Sequence, residues 1–535
     1  MKLDSSKIYL ILILILAFSL RFYHLGQNPP SLDWDEASLG YNAYSLLKTH
    51  KDEFGRPWPI SLRSFEDYKP AVYSYLMIPG IWIFGLTEFA VRLPSAVLGV
   101  FTVVAAYFLV REFFNKKIAL IASLFLAISP WHLQFSRVAF ESNASLFFVV
   151  SGLWCYLKGL RSGRWLILSA ILLVLSFYTY HSPRLVVPLI LLGWTYYFRK
   201  QLMPSKKYIA VGIFVALIFL IPFFKEAFGE GKARLSSVTV LTPQGRLDES
   251  IKLIEYDQKD SGPLGKVFHN RRIIYLFAVF KGYLDHFNMD FLFFKGDAPD
   301  RHHARDMGML YVWDGIFILI GILVLIRKRW GFPLFWWLLC AGSASAITTG
   351  TPHAVRALLF LPVYQIFSAV GLVYLFKRTV SKSIAGKFII TSIIIFLFGV
   401  NIFYYLDMYY IQTPIEASKD WQYGYKQAIT AIEPFNDSID KIIITYAYDQ
   451  PHVFLLFYEK IDPVWYQSQC KNDPVLRDNR TFGKYVFRKI NWVHDQQLTN
   501  TILVGTPDEI PEGVVGKIVD IPFLDGKIAL RVVKR

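Results

Sequence analysis

LPSAVLGVFTVVAAYFLVR, residues 93–111, is a run of 19 residues that carries no charge before its final arginine. A helix needs about 20 mostly apolar residues to span a membrane, and soluble core helices seldom offer so long a stretch without charge. Comparable runs recur along the chain. We predict eleven spans, near residues 7–23, 93–111, 117–135, 142–158, 165–181, 184–199, 207–224, 307–326, 330–349, 356–376 and 387–406. The sequence therefore predicts an all-α polytopic membrane protein.

The composition agrees with a membrane protein. Of the 535 residues, 54% are hydrophobic and 18% are charged, and the mean hydropathy is +0.36. Soluble domains have about 45–50% apolar and about 25% charged residues. These values exclude a disordered chain and argue against a soluble one.

The basic residues between the predicted spans indicate the orientation, because Lys and Arg collect in cytoplasmic loops. Alternate connections carry Arg111, Lys116 and Lys117, then Lys158, Arg161 and Arg164, then Arg199, Lys200, Lys206 and Lys207, then Arg327, Lys328 and Arg329, then Lys377, Arg378, Lys382 and Lys387. We therefore predict a multi-pass plasma-membrane protein with a cytoplasmic N-terminus. Residues 24–92, residues 225–306 and the tail from 407 then lie outside.

The same residues account for the net charge of +16. Together with Lys2 and Lys7, the cytoplasmic segments hold 19 of the 57 basic residues but only two of the 41 acidic ones. The remainder carries 38 basic and 39 acidic residues and is nearly neutral. The basic balance thus reflects membrane orientation and gives no support to a nucleic-acid partner.

The tail differs in character from the rest of the chain. KIIITYAY (441–448), TILVGT (501–506) and KIALRVV (527–533) are typical of strands, and a helical stretch lies around 417–433. We predict a membrane domain over 1–406 and a small extracytoplasmic α/β domain over 407–535.

A cluster of carboxylates follows the first predicted span, in SLDWDEASLGY (31–41). Asp33, Asp35 and Glu36 lie within four positions, and clustered carboxylates raise one another's pKa, which suits a general base acting on a hydroxyl. The cluster would also suit a divalent cation. An ordinary helix start with acidic residues in its first turn is the alternative.

Cations near the outer ends of the apolar segments suggest an anionic ligand. They are Lys69, Arg92, Arg137, Arg184 and Arg356. Lys and Arg offset the charge of an anionic leaving group such as a lipid-linked phosphate. Any one of them would equally suit a lipid headgroup contact.

The motifs resemble those of the membrane glycosyltransferases of the protein mannosyltransferase and aminoarabinose transferase type, also described as Rgt-like, which have the GT-C fold. The resemblance rests on Asp35-Glu36, Tyr68-Lys69-Pro70, FGLTEFAVRLPSAVLG (84–99), SPWHLQFSRVAFES (129–142), YHSPRL (180–185), KGDAPDRHHARDMGML (295–310) and PHAVRALLFLP (352–362). It covers roughly residues 10–375. The single proline after Lys69, the long loop and the tail depart from the family pattern.

This resemblance implies a polyprenyl-phosphate sugar donor and an active site at the extracytoplasmic face. Asp35 then matches the catalytic aspartate and general base, Glu36 its companion, Lys69 the phosphate-contacting lysine and Arg92 the arginine of the RLP motif. Arg137, Arg184, His353 and Arg356 match further positions of the pattern. The expected reaction is an inverting sugar transfer to an acceptor hydroxyl on a glycan, a lipid or a protein.

Three questions stay open from the sequence. His302 and His303, with Asp297, Asp300 and Asp306 nearby, would suit a metal, a hydrogen-bonded pair or a lid over the donor. The sequence indicates no particular cofactor and no metal ligand, although the acidic cluster permits a divalent cation. A polytopic lipid or sugar transporter or flippase is the alternative function, but transporters usually place ionisable groups near the midplane, where these spans are almost bare.

Overall fold

The computed structural model describes residues 5–65, 67–228, 239–240, 244–260, 264–379, 384–470 and 480–535. Lys2 and Lys382, and part of the predicted loop 225–306, lie outside these residues. The described chain is mostly helical.

The first ten helices run from the N-terminus through most of the predicted spans. Helices α1–α10 cover Ser5–Phe22, Trp34–Thr49, Val72–Phe84, Glu88–Phe113, Lys116–Ile128, Pro130–Arg137, Glu141–Gly159, Arg164–Phe177, Pro183–Leu202 and Lys206–Phe228. Helices α11–α18 cover Gln244–Asp260, Leu264–Phe268, Arg271–Asp285, Val312–Leu325, Gly331–Ala341, Ser343–Ala346, Val363–Thr379 and Ile384–Asp407. Helices α19–α23 cover Thr413–Glu416, Tyr425–Ile432, Pro451–Tyr458, Pro463–Cys470 and Trp492–Asp495.

Every predicted span overlaps one of these helices or a pair of them. Among the described residues, five helical stretches are long and apolar enough to cross a membrane, and a sixth is obtained if α5 and α6, bent by 56°, form one broken span. The bend falls at Ser129-Pro130, since a proline cannot continue the hydrogen-bond ladder of the preceding helix. The total of eleven spans stays a prediction.

Small residues let the helices approach closely. A Cβ on Gly321 of α14 would lie 2.0 Å from the carbonyl oxygen of Phe367, and a Cβ on Gly371 of α17 would lie 2.0 Å from that of Phe317. No larger side chain fits at either position without separating the two helices. Close backbone contact of this kind is typical of helix association in membranes.

In the described part of the chain, eight strands form two sheets. Strands β1–β8 cover Ser61–Ser64, Asp67–Pro70, Lys441–Ile444, Arg480–Phe482, Tyr485–Phe487, Thr501–Gly505, Lys517–Pro522 and Ile528–Lys534. Strands β1 and β2 form an antiparallel hairpin. The other six form one sheet in the order β4-β5-β3-β6-β8-β7, in which β3 runs parallel to both neighbours and the remaining pairs are antiparallel.

The six-stranded sheet is buried on both faces at its central strands β3 and β6. Along β3, Ile442 and Ile444 contribute to one hydrophobic cluster and Ile443 to another, as the period of two in a strand requires. The first cluster also contains residues of α2, α3 and α4. The sheet region therefore packs directly on the predicted outer segment 24–92, and the domain boundary at 407 stays a prediction.

Candidate active site

Helix α2 begins inside the carboxylate cluster, and its start occupies two of the three acids. Asp33 is the N-cap residue, and its side chain accepts a hydrogen bond from the backbone N–H of Glu36 at 2.8 Å. The Glu36 side chain accepts one in return from the N–H of Asp33 at 3.3 Å. This reciprocal arrangement is a capping box, which satisfies backbone donors that a helix end would otherwise leave free.

Glu36 and Arg92 form a fully buried ion pair rather than part of an open site. The guanidinium donates to both carboxylate oxygens of Glu36 at 3.0 Å, and both side chains are 0% exposed. Glu36 also accepts from the N–H of Ala139 at 2.8 Å. The remaining donors of Arg92 bind the backbone carbonyls of Leu25, Pro29 and Ser31. Neither Glu36 nor Arg92 lines the cavity that collects other predicted site residues, because the hydrogen-bonding atoms of both side chains already bind protein groups.

Arg137 is placed in the same way. Its guanidinium donates to the carbonyls of Leu20, Arg21 and Asn28 and to the hydroxyl of Tyr409 at 2.8–3.1 Å. It is 1% exposed. The structure therefore does not bring this predicted phosphate ligand to an accessible surface; Arg137 instead ties the end of α6 to the last turn of α1 and to the chain that follows it.

A cavity of about 160 Å³ does collect five of the predicted residues, Asp35, Lys69, His302, His353 and Arg356. Arg184 is not among its lining residues; it donates to the carbonyl of Phe177 and lies 4.7 Å from the Phe223 ring. His303 also lies outside it, with its ring nitrogens against the carbonyl oxygens of Ala304 and Asp297.

Asp35 and Lys69 form an ion pair on the wall of this cavity. Asp35 lies in the first turn of α2, and Lys69 lies on β2 of the hairpin, which holds it opposite that turn. Their side chains are 28% and 12% exposed. Asp35 is thus the one carboxylate of the cluster that a ligand in the cavity can reach.

Two arginines complete a cationic lining with Lys69. Arg301 lies 4.2 Å from the ring of Trp34 and 3.8 Å from the carboxylate of Asp33, so the start of α2 holds it in place. Arg356 donates to the hydroxyl of Thr348 and the carbonyl of Thr349, each at 2.8 Å. Three cations around one small cavity give its lining the positive charge that an anionic group would need.

Sequence reasoning did not select Arg301 or Glu141, which both line the cavity. Glu141 is the first residue of α7 and is 8% exposed. Both residues lie inside motifs that carry the family resemblance, at 295–310 and 129–142. In these motifs the predicted site residues are His302, His303 and Arg137. A single acid at a helix start and an arginine in a charged loop are too common to be selected without the fold.

Burial controls the ionisation of the capping residue. Desolvation and, after it, the nearby Asp35 carboxylate raise the pKa of Asp33 to about 7, although Arg301 opposes the shift. A carboxyl that is partly protonated near neutral pH therefore lies two residues before Asp35 at the start of α2.

Asp297, His302 and His353 could hold a metal ion, because their ligand atoms lie within 4.8 Å of one another. Oδ2 of Asp297 lies 2.6 Å from Nδ1 of His302 and accepts from the N–H of Ala354. Oδ1 of Asp297 and Nδ1 of His353 are buried without a hydrogen-bond partner. Burial, followed by the charge of Arg356, holds the pKa of His353 well below its usual range, so its ring is neutral as a metal ligand requires. Two histidines and a carboxylate suit Zn²⁺.

Comparison with known proteins supports the resemblance drawn from the motifs. The sequence model of the dolichyl-phosphate-mannose-protein mannosyltransferase family matches residues 68–224. Two proteins of Bacillus subtilis (strain 168), YkcB and YycA, whose names assign them provisionally to the mannosyltransferases, are 26% and 27% identical over about a third of this chain. The match spans about a quarter of the length of each of these relatives.

Solved structures with a similar fold extend over the whole chain. ArnT from Cupriavidus metallidurans, in the apo state, gives a TM-score of 0.56 at 13% identity and covers 99% of this chain and 98% of its own. Its structure bound to undecaprenyl phosphate gives the same score and covers 98% and 97%. The oligosaccharyltransferase of Archaeoglobus fulgidus gives a TM-score of 0.51 at 15% identity and covers 95% of this chain and 70% of its own. At these identities the likeness establishes the fold.

Proposed function

Because the chain belongs to the GT-C glycosyltransferase superfamily, we propose that it transfers a sugar from a polyprenyl-phosphate donor to an acceptor hydroxyl. The observation that supports this most is the cavity lined by Asp35, the more exposed of its two carboxylates, and by three cations, Lys69, Arg301 and Arg356. A reaction that needs a base on one side and charge compensation for a leaving phosphate on the other requires this combination.

In this proposal the donor phosphate lies against the three cations while its lipid tail stays in the membrane. Lys69 is paired with Asp35 in the structure, so an arriving phosphate competes for the same ammonium group. When Lys69 turns to the phosphate, the Asp35 carboxylate is released to accept a proton. Donor binding thus prepares the base for the next step.

Asp35 then takes the proton of the acceptor hydroxyl as its oxygen attacks the anomeric carbon. The bond from that carbon to the phosphate oxygen breaks, and the lipid phosphate leaves with the electron pair. Attack opposite the leaving group inverts the configuration of the sugar carbon. Lys69, Arg301 and Arg356 stabilise the charge that develops on the phosphate, and this stabilisation is worth more in a partly buried site than in water.

Glu141 lies on the same cavity and, in this proposal, binds hydroxyls of the transferred sugar. Among the described residues no guanidinium forms an ion pair with Glu141, so its carboxyl oxygens are acceptors for ligand O–H groups. The reaction takes place at the extracytoplasmic face of the plasma membrane, with the N-terminus in the cytoplasm and residues 407–535 outside. The acceptor belongs to a glycan, a lipid or a protein.

The test is release of polyprenyl phosphate from a series of polyprenyl-phosphate sugars by the purified full-length chain. Asp35→Asn should lower kcat by about 10²–10⁴-fold, the usual contribution of a general base. Asp440→Asn is the matched control, because Asp440 lies before β3 and outside the cavity. Equal turnover by wild-type protein and Asp35→Asn would refute the assignment of the base, whereas substrate flux across liposomes without turnover would favour a transporter.

A further inference from the structure

Helix α21, Pro451–Tyr458, contacts both elements that carry the Asp35–Lys69 pair, namely helix α2 and the β1–β2 hairpin. Its residue Phe457 lies against α2 at Gly40, where a Cβ would come within 2.8 Å of the Phe457 ring and 2.7 Å of the Val91 side chain. Helix α2 therefore packs at Gly40 against both α4 and α21, with no room for an added methyl group.

Polar contacts from the same region fix α2 along its length. The hydroxyl of Tyr41 donates to the carbonyl of Ile461 at 3.1 Å. The amide of Gln467 lies 3.0 Å from the hydroxyls of Ser45 and Thr49 and from the carbonyl of Asp52. Gly40 is five residues after Asp35, about 7.5 Å along the helix axis, so displacement of α2 at this contact also moves Asp35.

The other end of α21 contacts the hairpin. The ring of His452 meets the ring of Phe65 edge to face, with 6.0 Å between centroids, and Phe65 stands in the turn between β1 and β2. The ammonium group of Lys69 in turn lies 5.5 Å from the Phe65 centroid. His452 is 2% exposed and lies 3.0 Å from a guanidinium nitrogen of Arg480, so its ring is held rigidly against Phe65.

We propose that α21 is a positioning element that sets the separation of Asp35 and Lys69, through Phe457 on α2 and His452 on the hairpin. This inference rests on the proposed function, because it gives the region after residue 407 a part in the same site. Phe457 and His452 do not line the cavity, so both act through other residues.

The inference predicts separate kinetic effects for the two ends of the helix. Phe457→Ala loosens α2 and should lower kcat per folded enzyme by about 10- to 100-fold, since small displacements of a catalytic group cost up to about 10² in rate. The KM for the lipid donor should change less than about twofold. His452→Ala loosens the hairpin and should raise the donor KM about tenfold, because Lys69 binds the phosphate.

Leu503→Ala is the matched control. Leu503 is fully buried in β6, in the cluster on the face of the sheet turned away from α2, and its truncation also leaves a core cavity in the same region. It should leave kcat and donor KM per folded enzyme at wild-type values. Equal kinetic effects in Leu503→Ala and Phe457→Ala would overturn the inference.

Amide hydrogen exchange of full-length protein in detergent gives a readout that needs no activity. Exchange of the amides of residues 36–40 should be faster in Phe457→Ala than in wild-type protein and unchanged in Leu503→Ala. Unchanged exchange in Phe457→Ala would overturn the positioning role. If wild-type protein turned over no polyprenyl-phosphate sugar, the proposed function would fail, while the exchange experiment would still decide whether α21 holds α2.

Discussion

Replacing Arg92 by methionine separates a structural arginine from a phosphate-binding one. The sequence assigns Arg92 to the donor phosphate, whereas the structure pairs it with Glu36 at 3.0 Å with both side chains 0% exposed. Methionine keeps most of the length of the side chain and removes its charge. Arg92→Met therefore leaves the Glu36 carboxylate buried with hydrogen bonds from two backbone N–H groups but no counter-charge.

The expected cost follows from that unpaired charge. Removing one partner of a buried ion pair destabilises a protein by about 3–5 kcal/mol. The carbonyls of Leu25, Pro29 and Ser31 lose their donor as well, which adds to the loss. We expect a decrease of at least about 3 kcal/mol in the free energy of unfolding, which corresponds to a change of more than about 10²-fold in the unfolding equilibrium.

The assay measures unfolding of the purified protein in detergent micelles, induced in separate experiments by heat and by denaturant. Arg356→Gln is the matched control, because Arg356 lines the cavity and is only partly buried, and its loss should cost about 1 kcal/mol or less. The double variant Glu36→Gln with Arg92→Met should recover part of the stability, since it removes the uncompensated charge. Wild-type stability in Arg92→Met together with a raised KM for the donor would refute the structural role and restore the phosphate-binding one.

Three further predictions concern the cavity and its surroundings. Asp33 binds a proton more tightly in the folded protein, with a pKa of about 7 against 3.8 when unfolded, so stability should fall as pH rises from about 4 to 7, by at most about 4 kcal/mol. Asp33→Asn keeps the helix cap, so its stability in thermal melts should differ less between pH 5 and pH 8 than that of wild-type protein. An equal loss of stability in the two proteins would contradict this. Glu141→Gln should raise the KM for the sugar donor about tenfold with a smaller change in kcat, and an unchanged KM would exclude contact with the sugar. His353→Ala should weaken Zn²⁺ binding, measured by calorimetry, at least about tenfold, whereas His303→Ala should retain it; equal affinities would place the ion elsewhere.

The motifs at 31–41 and 68–70 located the two residues that meet in the cavity, Asp35 and Lys69. They did not distinguish Asp35 from Asp33 and Glu36, because three acids in a helix start look alike in sequence. The distinction depends on Arg92 and on the N–H of Ala139, which are 56 and 103 residues from Glu36. These distant partners bind Glu36, the helix cap engages Asp33, and Asp35 is the acid left partly exposed.

The cations show the same limit more clearly. Five were expected at the phosphate, and of these the cavity is lined only by Lys69 and Arg356, while Arg301 joins them from a loop. A position near the outer end of an apolar segment predicts only how deep the residue lies along the membrane normal. Whether the guanidinium then turns toward a cavity or into the protein depends on carbonyl groups supplied by other segments, as Arg137 shows by binding Leu20, Arg21 and Asn28.

A helical membrane protein with strand-forming runs in its tail is predictable from the sequence alone, and the structure confirms a mostly helical chain whose fold is similar to that of ArnT. Long uncharged runs and alternating strands are local patterns, so solvent preference and backbone periodicity are sufficient to read them. The set of charged residues that line the cavity, and the contacts of α21 with α2 and the hairpin, become visible only in the folded protein. Burial and pairing of charges depend on groups far apart in the chain, which meet only when the helices and the sheet pack together.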